Sequence, residues 1–132
     1  MTPTELVAAA RACRSNAHVP YSRFRAGAAV HTDSDGVVPG VIVENVSLGL
    51  AMCAERVALF STVALGARPL ALALVAPRTG PDLTWPCGAC LQVALELGGP
   101  AMPVYASSVA DDAPISESTI GELLPNGPFV RR

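Results

Sequence analysis

The stretch RPLALALVAPR, residues 68–78, is the part of the sequence that decides the fold. Its inner residues, 70–76, are all apolar and lie between two arginines, which predicts a strand buried on both faces of a sheet. Helical patterns precede it at residues 53–65 and follow it at residues 87–97, and each ends at glycine. A further strand is predicted at residues 103–106. In the helix predicted at residues 53–65, the apolar spacing assigns one shared face to Cys53, Val57, Phe60 and Ala64.

The sequence before this stretch predicts an N-terminal helix and a β-hairpin. The helix begins at Thr2 as its cap, with Pro3 in the first turn and Glu5 completing a capping box. Strand patterns at residues 26–32 and 37–44 flank the turn sequence DSDG. Residues 118–124 predict a short helix or turn. The whole order predicts a single α/β domain, residues 1–132, with one mixed sheet and helices on both faces.

Composition excludes several classes of function. Hydrophobic residues make up 51% of the 132 residues and charged residues 15%, which predicts a compact body with apolar surface covered by a partner subunit. The net charge of −2 gives no basic surface, so we expect no nucleic-acid partner. All nine basic residues are arginine, which excludes lysine Schiff-base chemistry and a phosphate loop of the Gly-Lys-Ser/Thr type.

The cellular location follows from what the sequence lacks. The N-terminus shows no signal peptide, and no apolar run reaches the roughly 18 residues that a membrane span needs. We therefore expect a cytoplasmic protein without a membrane partner. Cytoplasmic thiols stay reduced, so the four cysteines are interpreted as metal ligands or buried residues. Cys13 lies on the apolar face of the first helix with Leu6 and Ala10, which favours a buried side chain over a ligand.

The other three cysteines lie in two short motifs, MCAER at residues 52–56 and WPCGAC at residues 85–90. Cys53, Cys87 and Cys90 can supply three thiolates to one metal ion, because both motifs fall at predicted helix N-termini, which stabilise anions. Three protein ligands leave the fourth tetrahedral position to water. This arrangement predicts a zinc site that activates water and not one that only holds the fold together.

Two charged residues of the first motif support this interpretation. Glu55 can move a proton between the water and a substrate, and Arg56 can donate hydrogen bonds to thiolate sulfur and offset its negative charge. A lone Cys-x-x-Cys would indicate a structural zinc half-site, a redox pair or a chance occurrence, but a redox pair leaves Cys53 and Glu55 without a purpose. A closed structural site needs a fourth ligand, and the two histidines are far upstream.

The two motifs together resemble a known signature. The sequence CAER at residues 53–56 followed by PCGACLQ at residues 86–92 is similar to that of the zinc-dependent cytidine deaminases, in the small homotetrameric branch whose three zinc ligands are cysteines. Residues 19–24 and 27–29 resemble the family's N-terminal segment, residues 40–49 its sugar-binding strand and loop, and residues 122–125 with Phe129 its C-terminal segment. The resemblance thus covers nearly the whole chain.

The resemblance implies a fold and a reaction. The fold would be a three-layer α/β/α sandwich with a five-stranded mixed sheet. The reaction would be hydrolytic loss of ammonia from C4 of cytidine or deoxycytidine, a step of pyrimidine salvage. Zn²⁺ would be held by the three cysteines, and Glu55 would protonate N3 and later the leaving amine. The partners implied are a small nucleoside substrate and further copies of the chain in a homotetramer whose active sites neighbours complete.

The resemblance also implies substrate contacts. Phe24 would pack near the pyrimidine, and Glu44 would bond a ribose hydroxyl. Backbone groups near Ala54 and Cys87 would contact the base. Gln92 would help to hold Arg56 in place without contacting the metal ion itself.

Two residues depart from the family pattern in its sugar-binding segment. Ile42 stands where the family usually has an asparagine, and Leu48 where it often has a tyrosine. An unpaired sugar hydroxyl facing Ile42 would cost about 1–3 kcal/mol. The departures leave open an alternative substrate, a modified cytosine nucleoside of the blasticidin S kind or another aminated heterocycle. The spacing of the NGP sequence at residues 126–128 also differs from the common pattern.

Overall fold

A computed structural model describes residues 1–130 of the chain. It contains one five-stranded sheet with the strand order β2-β1-β3-β4-β5. The helices and strands are α1 (Pro3–Cys13), β1 (Gly27–Thr32), β2 (Val37–Val41), α2 (Ala54–Ala64), β3 (Pro69–Val75), α3 (Gly88–Gly98), β4 (Pro103–Ser107), β5 (Ser116–Thr119) and α4 (Ile120–Leu123).

The apolar stretch within residues 68–78 forms the central strand, β3. β3 pairs antiparallel with β1 and parallel with β4, while β2 and β5 add antiparallel edges. The sheet is therefore mixed, as predicted. Because β3 and β4 are parallel, the chain crosses between them through α3, which follows the carboxyl end of β3.

Alternation along β3 separates two layers of core. Ala71, Ala73 and Val75 pack with Leu6 and Val7 of α1 on one face. The opposite face of the sheet packs against α2, α3 and α4 through a larger cluster, in which β3 supplies Leu72 and Leu74. Helices therefore cover both faces, and the predicted three-layer α/β/α sandwich is confirmed.

The first helix begins as its sequence predicts. The Thr2 hydroxyl accepts a hydrogen bond from the backbone N–H of Glu5 at 3.1 Å, and Pro3 occupies the first turn. Cys13 ends the helix and is half-buried, with its Sγ 3.4 Å from the carbonyl oxygens of Ala10 and Gly40. Burial raises the pKa of this thiol, which stays packed and apart from the other cysteines.

Two strand predictions need correction. The second hairpin strand ends at Val41 and not at residue 44, because Val43 leaves the sheet and exchanges backbone hydrogen bonds with Met52 at 3.0 and 2.9 Å. The stretch predicted as a short helix or turn, residues 118–124, begins instead with the end of β5, where Ser118 pairs with Val104 of β4. Only its second half forms the single turn α4.

The apolar face predicted for the helix of the first motif was also wrong. α2 buries Ala54, Ala58 and Leu59, whereas Phe60 is 47% exposed. The cause is close packing of the helix on the sheet, since a Cβ atom at Gly40 of β2 would overlap the backbone of Ala54 and Ala58. Small side chains thus face the sheet, and Phe60 lies on the outside.

Within residues 1–130, no helix combines the length and the apolar character that crossing a lipid bilayer demands.

Candidate active site

Two helices begin at the same place in the molecule, and each begins at a cysteine. Cys53 is the N-cap of α2 and Cys87 the N-cap of α3, both with extended backbone and neither using its side chain to cap the helix. Cys90 follows in the first turn of α3 and is fully buried. The prediction that both motifs lie at helix N-termini is confirmed, and neither N-cap sulfur is used by the backbone of its own helix.

The three sulfur atoms form a compact triangle, here called the thiol centre. Cys53 Sγ lies 4.0 Å from Cys87 Sγ, which lies 3.4 Å from Cys90 Sγ, and all three pairs are within 4.8 Å. A disulfide needs a separation of about 2.05 Å, so the cysteines are unpaired thiols. Three sulfurs bound to one tetrahedral Zn²⁺ at about 2.3 Å would be about 3.8 Å apart. The spacing of the thiol centre therefore fits zinc.

Cys53 and Cys90 differ in how readily their thiols lose a proton. A hydrogen bond from Cys90 and a second from the Arg56 guanidinium, whose Nη2 lies 3.5 Å from Cys53 Sγ, lower the pKa of Cys53 to about 5. The same bond to Cys53, followed by burial, raises the pKa of Cys90. One thiolate thus forms readily beside Arg56, and a divalent cation would displace the remaining thiol protons.

Glu55 is a buried carboxyl group next to the thiol centre. Glu55 is only 5% exposed, and burial raises the pKa of its carboxyl group to about 7. Its side chain is not part of the metal-binding group, which among residues 1–130 consists of the three cysteines. A carboxyl group poised near neutral pH can both accept and donate a proton, as general acid–base chemistry requires.

A cavity of about 170 Å³ joins these groups. Cys53, Cys87 and Glu55 contribute to its wall together with the predicted substrate contacts Phe24 and Ile42. Ala54, whose backbone was predicted to contact the base, also lines it. Larger grooves exist on the surface, but those described do not include the thiol centre or Glu55. The small cavity is therefore the candidate active site.

Glu44 is not among the residues that line the cavity. Its carboxylate accepts hydrogen bonds from the backbone N–H groups of Tyr21 and Ser22 at 3.1 and 3.2 Å. Hydrogen bonding from Ser22 lowers the pKa of this carboxyl group. Glu44 thereby ties its own segment to the loop that carries Phe24, and its predicted role toward a ribose hydroxyl stays a prediction.

Gln92 and Arg56 are not joined by a hydrogen bond in the described part of the chain. Gln92 Nε2 donates to the carbonyl oxygen of Pro128 at 2.7 Å, and the buried Nε of Arg56 has no partner there. The predicted support of Arg56 by Gln92 thus stays a prediction. Arg56 itself is placed as expected, with its guanidinium on Cys53.

The sequence interpretation missed part of the cavity wall. Thr84 and Trp85 line it from the loop before α3, and Leu74 and Ala76 line it from the end of β3. Trp85 could have been identified from its position two residues before Cys87. Leu74 and Ala76 could not, because the unbroken apolar run to which they belong indicates burial without saying what they are buried against.

Comparison with known proteins gives a consistent set of matches. The family profile described as "Cytidine and deoxycytidylate deaminase zinc-binding region" matches residues 2–106. The chain is 40% identical over 126 residues to a cytidine deaminase of Sporosarcina psychrophila, covering 95% of this chain and 90% of the relative. It is 45% identical over 115 residues to one of Mycobacterium tuberculosis, covering 85% and 78%.

Solved structures show the same similarity. The crystal structure of cytidine deaminase from Burkholderia pseudomallei superposes with a TM-score of 0.87 at 43% identity, covering 96% of this chain and 99% of that one. The Mycobacterium tuberculosis cytidine deaminase structure gives a TM-score of 0.80 at 38% identity, covering 96% and 97%.

Proposed function

The chain belongs to the cytidine and deoxycytidylate deaminase family, and we propose that it catalyses the hydrolytic deamination of cytidine and deoxycytidine to uridine and deoxyuridine. One observation carries the proposal: Cys53, Cys87 and Glu55 line a single cavity, Cys90 completes a cluster of three unpaired thiols with the two cysteines, and burial raises the pKa of the Glu55 carboxyl group to about 7. A structural metal site has no use for such a carboxyl group.

The thiol centre would hold the zinc ion. Cys53, Cys87 and Cys90 supply three sulfur ligands at fitting distances, and Arg56 reduces the excess negative charge of three thiolates by its hydrogen bond to Cys53. When bound, zinc supplies a Lewis acid that makes water a nucleophile at neutral pH. By reducing the negative charge of the thiolates, Arg56 would keep the Lewis acidity of the metal ion high enough to activate water.

Glu55 would move the protons of the reaction. Its carboxyl group would accept one proton from the attacking water and deliver it to N3 of the cytosine ring. It would then take the second proton from the hydroxyl group newly bonded to C4 and deliver it to the amino group, which leaves as ammonia when the C4–N bond breaks. Burial supports this role because it raises the pKa of Glu55 to about 7, so that both protonation states are accessible near neutral pH.

The rest of the cavity would hold the base and exclude water. Phe24 and Ile42 pack against the core with part of their surface left open to the cavity. Apolar walls of this kind favour a flat heterocycle over a charged or strongly hydrated ligand, and they strengthen the hydrogen bonds made inside.

A substrate panel tests the function. Purified zinc-loaded protein is mixed with cytidine, deoxycytidine, 5-methylcytidine, cytosine or blasticidin S, and loss of the aminopyrimidine band is followed by ultraviolet absorbance. We expect cytidine and deoxycytidine to react fastest and to release one ammonia per turnover. A protein with a full complement of zinc that reacts with none of the five would contradict the proposal.

The alternative substrate class rested on Ile42, and nothing in the comparisons favours it. The relatives and solved structures reported above are named cytidine deaminases at 38–45% identity. Cytidine and deoxycytidine are therefore the substrates proposed, and the blasticidin S arm of the panel tests the alternative directly.

Assembly into a homotetramer is the second part of the proposal. Several large apolar side chains are open to solvent in the single chain: Val46 and Leu48 are 81% and 83% exposed. A groove of about 530 Å³ between α2 and α3 is lined by Phe60, Val63 and Val93. Such surfaces are typical of contacts between subunits. Sedimentation equilibrium should give four times the mass of one single-domain chain, and a monomer at micromolar concentration would contradict this assembly.

The biological role we propose is pyrimidine salvage in the cytoplasm. Three thiols that must stay reduced to bind metal suit a reducing compartment. Expression of the chain should let a pyrimidine auxotroph that lacks cytidine deaminase grow on cytidine as its pyrimidine source. Lack of growth with soluble, zinc-loaded protein present in the cytoplasm would contradict the role.

A further inference from the structure

Three large hydrophobic side chains that are only partly buried border the candidate active site, next to the buried Leu74: Phe24, Ile42 and Trp85. All three are partly buried and pack against the main core cluster. Most of the other apolar residues of the wall are alanines, so these three supply most of the surface that a flat ring could contact. Phe24 and Ile42 already have a place in the proposed function, but Trp85 has none.

The main chain on both sides of Trp85 is firmly held. On one side, the Thr84 hydroxyl donates to the carbonyl oxygen of Pro77 at 2.6 Å and lies 2.7 Å from the Thr79 hydroxyl. On the other side, Pro86 is buried and leads directly into Cys87, the N-cap of α3. Trp85 is therefore positioned before any ligand arrives, which lowers the entropy cost of a contact with it.

The indole of Trp85 differs from that of a core tryptophan in its burial and in its hydrogen bonding. A core tryptophan hides its ring and gives its N–H a hydrogen-bond partner. Trp85 is only partly buried, and its Nε1–H makes no hydrogen bond within residues 1–130. Trp85 lines the cavity, and its indole keeps a hydrogen-bond donor that no described residue occupies.

We propose that the Trp85 indole is a wall of the base-binding pocket and determines how tightly the pyrimidine ring is held. This inference rests on the deaminase function proposed above and adds to it a specificity-determining residue. Contact between an aromatic side chain and a base contributes substantially to binding because both partners are flat and polarisable. The contact forms equally in the ground state and the transition state, so it acts on KM more than on kcat.

Fluorescence of the unmodified protein tests the contact directly, because Trp85 is the only tryptophan in the chain. Uridine, the unreactive product, is titrated over the range in which it inhibits cytidine turnover, with excitation at the red edge of indole absorption. We expect a saturable change in emission that follows the inhibition curve, and no change with ribose alone. Inhibition by uridine without any change in emission would overturn the inference.

Two variants test the energetic part. Trp85→Ala should raise KM for cytidine by about fivefold or more, and Trp85→Phe, which keeps a ring but loses the N–H, by less. Both should keep one zinc per chain and most of kcat. Tyr105→Phe is the matched control, since Tyr105 packs against the α1 cluster on the opposite face of the sheet, and its KM should equal that of the unmodified protein.

The outcomes separate the inference from the function on which it rests. Unmodified protein that carries zinc but does not deaminate cytidine contradicts the proposed function. Unmodified protein that is active, combined with an unchanged KM in zinc-loaded Trp85→Ala, contradicts the role of Trp85 alone. The fluorescence measurement decides the question if Trp85→Ala fails to fold.

Discussion

The thiol centre and the loop of residues 43–52 adjoin each other in the sequence at Cys53, yet they are built in opposite ways. The thiol centre lies at two helix N-termini, is partly buried, and has its charge balanced by Arg56. The loop is closed by the hydrogen bonds of Val43 with Met52, and it exposes Val46, Leu48 and Leu50 to solvent. A single chain therefore brings the three sulfur atoms and Arg56 together, whereas the neighbouring loop leaves its large apolar side chains uncovered.

This difference predicts how the two regions respond to change. Replacing a cysteine of the thiol centre should abolish metal binding, and replacing Glu55 should lower turnover by orders of magnitude, because no neighbouring group can take over either role. A substitution at Ile42, which directly precedes the loop and lines the cavity, should give a graded change in KM, because this side chain supplies one wall contact among several. The following substitutions test this contrast, in order of decreasing effect.

The largest effect is expected from Cys87→Ala. It removes the sulfur that lies within 4.0 Å of both other sulfurs, so zinc should be absent after dialysis and activity should fall to background. Metal analysis and thermal unfolding measure the loss of metal and the loss of stability together. Cys13→Ala is the matched control, because it removes a thiol outside the thiol centre and should keep one zinc per chain. Full zinc content in Cys87→Ala would show that the ligand set is wrong.

Glu55→Gln should lower kcat by about 10²–10⁴-fold while zinc stays bound. Glutamine has nearly the same shape as the buried glutamate but cannot carry the proton. Steady-state kinetics on cytidine with parallel metal analysis separates the two properties. The exposed Glu117→Gln serves as control and should behave like the unmodified protein. A Glu55→Gln variant with unchanged kcat would exclude Glu55 as the proton carrier.

Arg56→Gln should weaken zinc binding by about 10–100-fold, the usual effect of losing a residue that bonds a metal ligand. The hydrogen bond to Cys53 disappears, and the thiolates lose their nearest positive charge. Competition with a coloured chelator gives the affinity. Arg68→Gln is the control, since Arg68 is exposed and distant in sequence from both motifs. Equal zinc affinity in the two variants would mean that Arg56 does not tune the site.

Ile42→Asn gives the smallest expected effect. An asparagine at this position of the cavity wall can bond a sugar hydroxyl, which should lower KM for cytidine by about fivefold, equivalent to about 1 kcal/mol. Ile42→Val is the control, because it shortens the side chain without adding a polar group. The same KM in both variants would mean that the sugar is held by other contacts.

Short sequence patterns were enough to predict the thiol centre and the central strand. The metal ligands, Glu55 and Arg56 follow from motifs only a few residues long, and local helix geometry is enough to place them. The central strand was predicted for a similar reason, since a short unbroken apolar run between two arginines is typical of a strand buried on both faces.

The parts that the sequence did not predict depend on contacts between distant segments. The outer face of α2 looked like core because Phe60 is large and apolar, but close packing against Gly40 decided which face is buried. β5 was missed because Ser116–Thr119 carries no apolar alternation and is a strand only through its pairing with β4. Gln92 reaches Pro128, 36 residues away, which no local pattern indicates.

Zinc titration of metal-free protein tests the central claim most directly. Protein stripped of metal under reducing conditions is supplied with increasing zinc, and the rate of cytidine deamination is measured at each point. We expect no activity without zinc, a linear rise, and a plateau at one zinc per chain. Full activity in the metal-free protein, or no activity at one zinc per chain, would contradict the assignment of the thiol centre and Glu55 as the catalytic site.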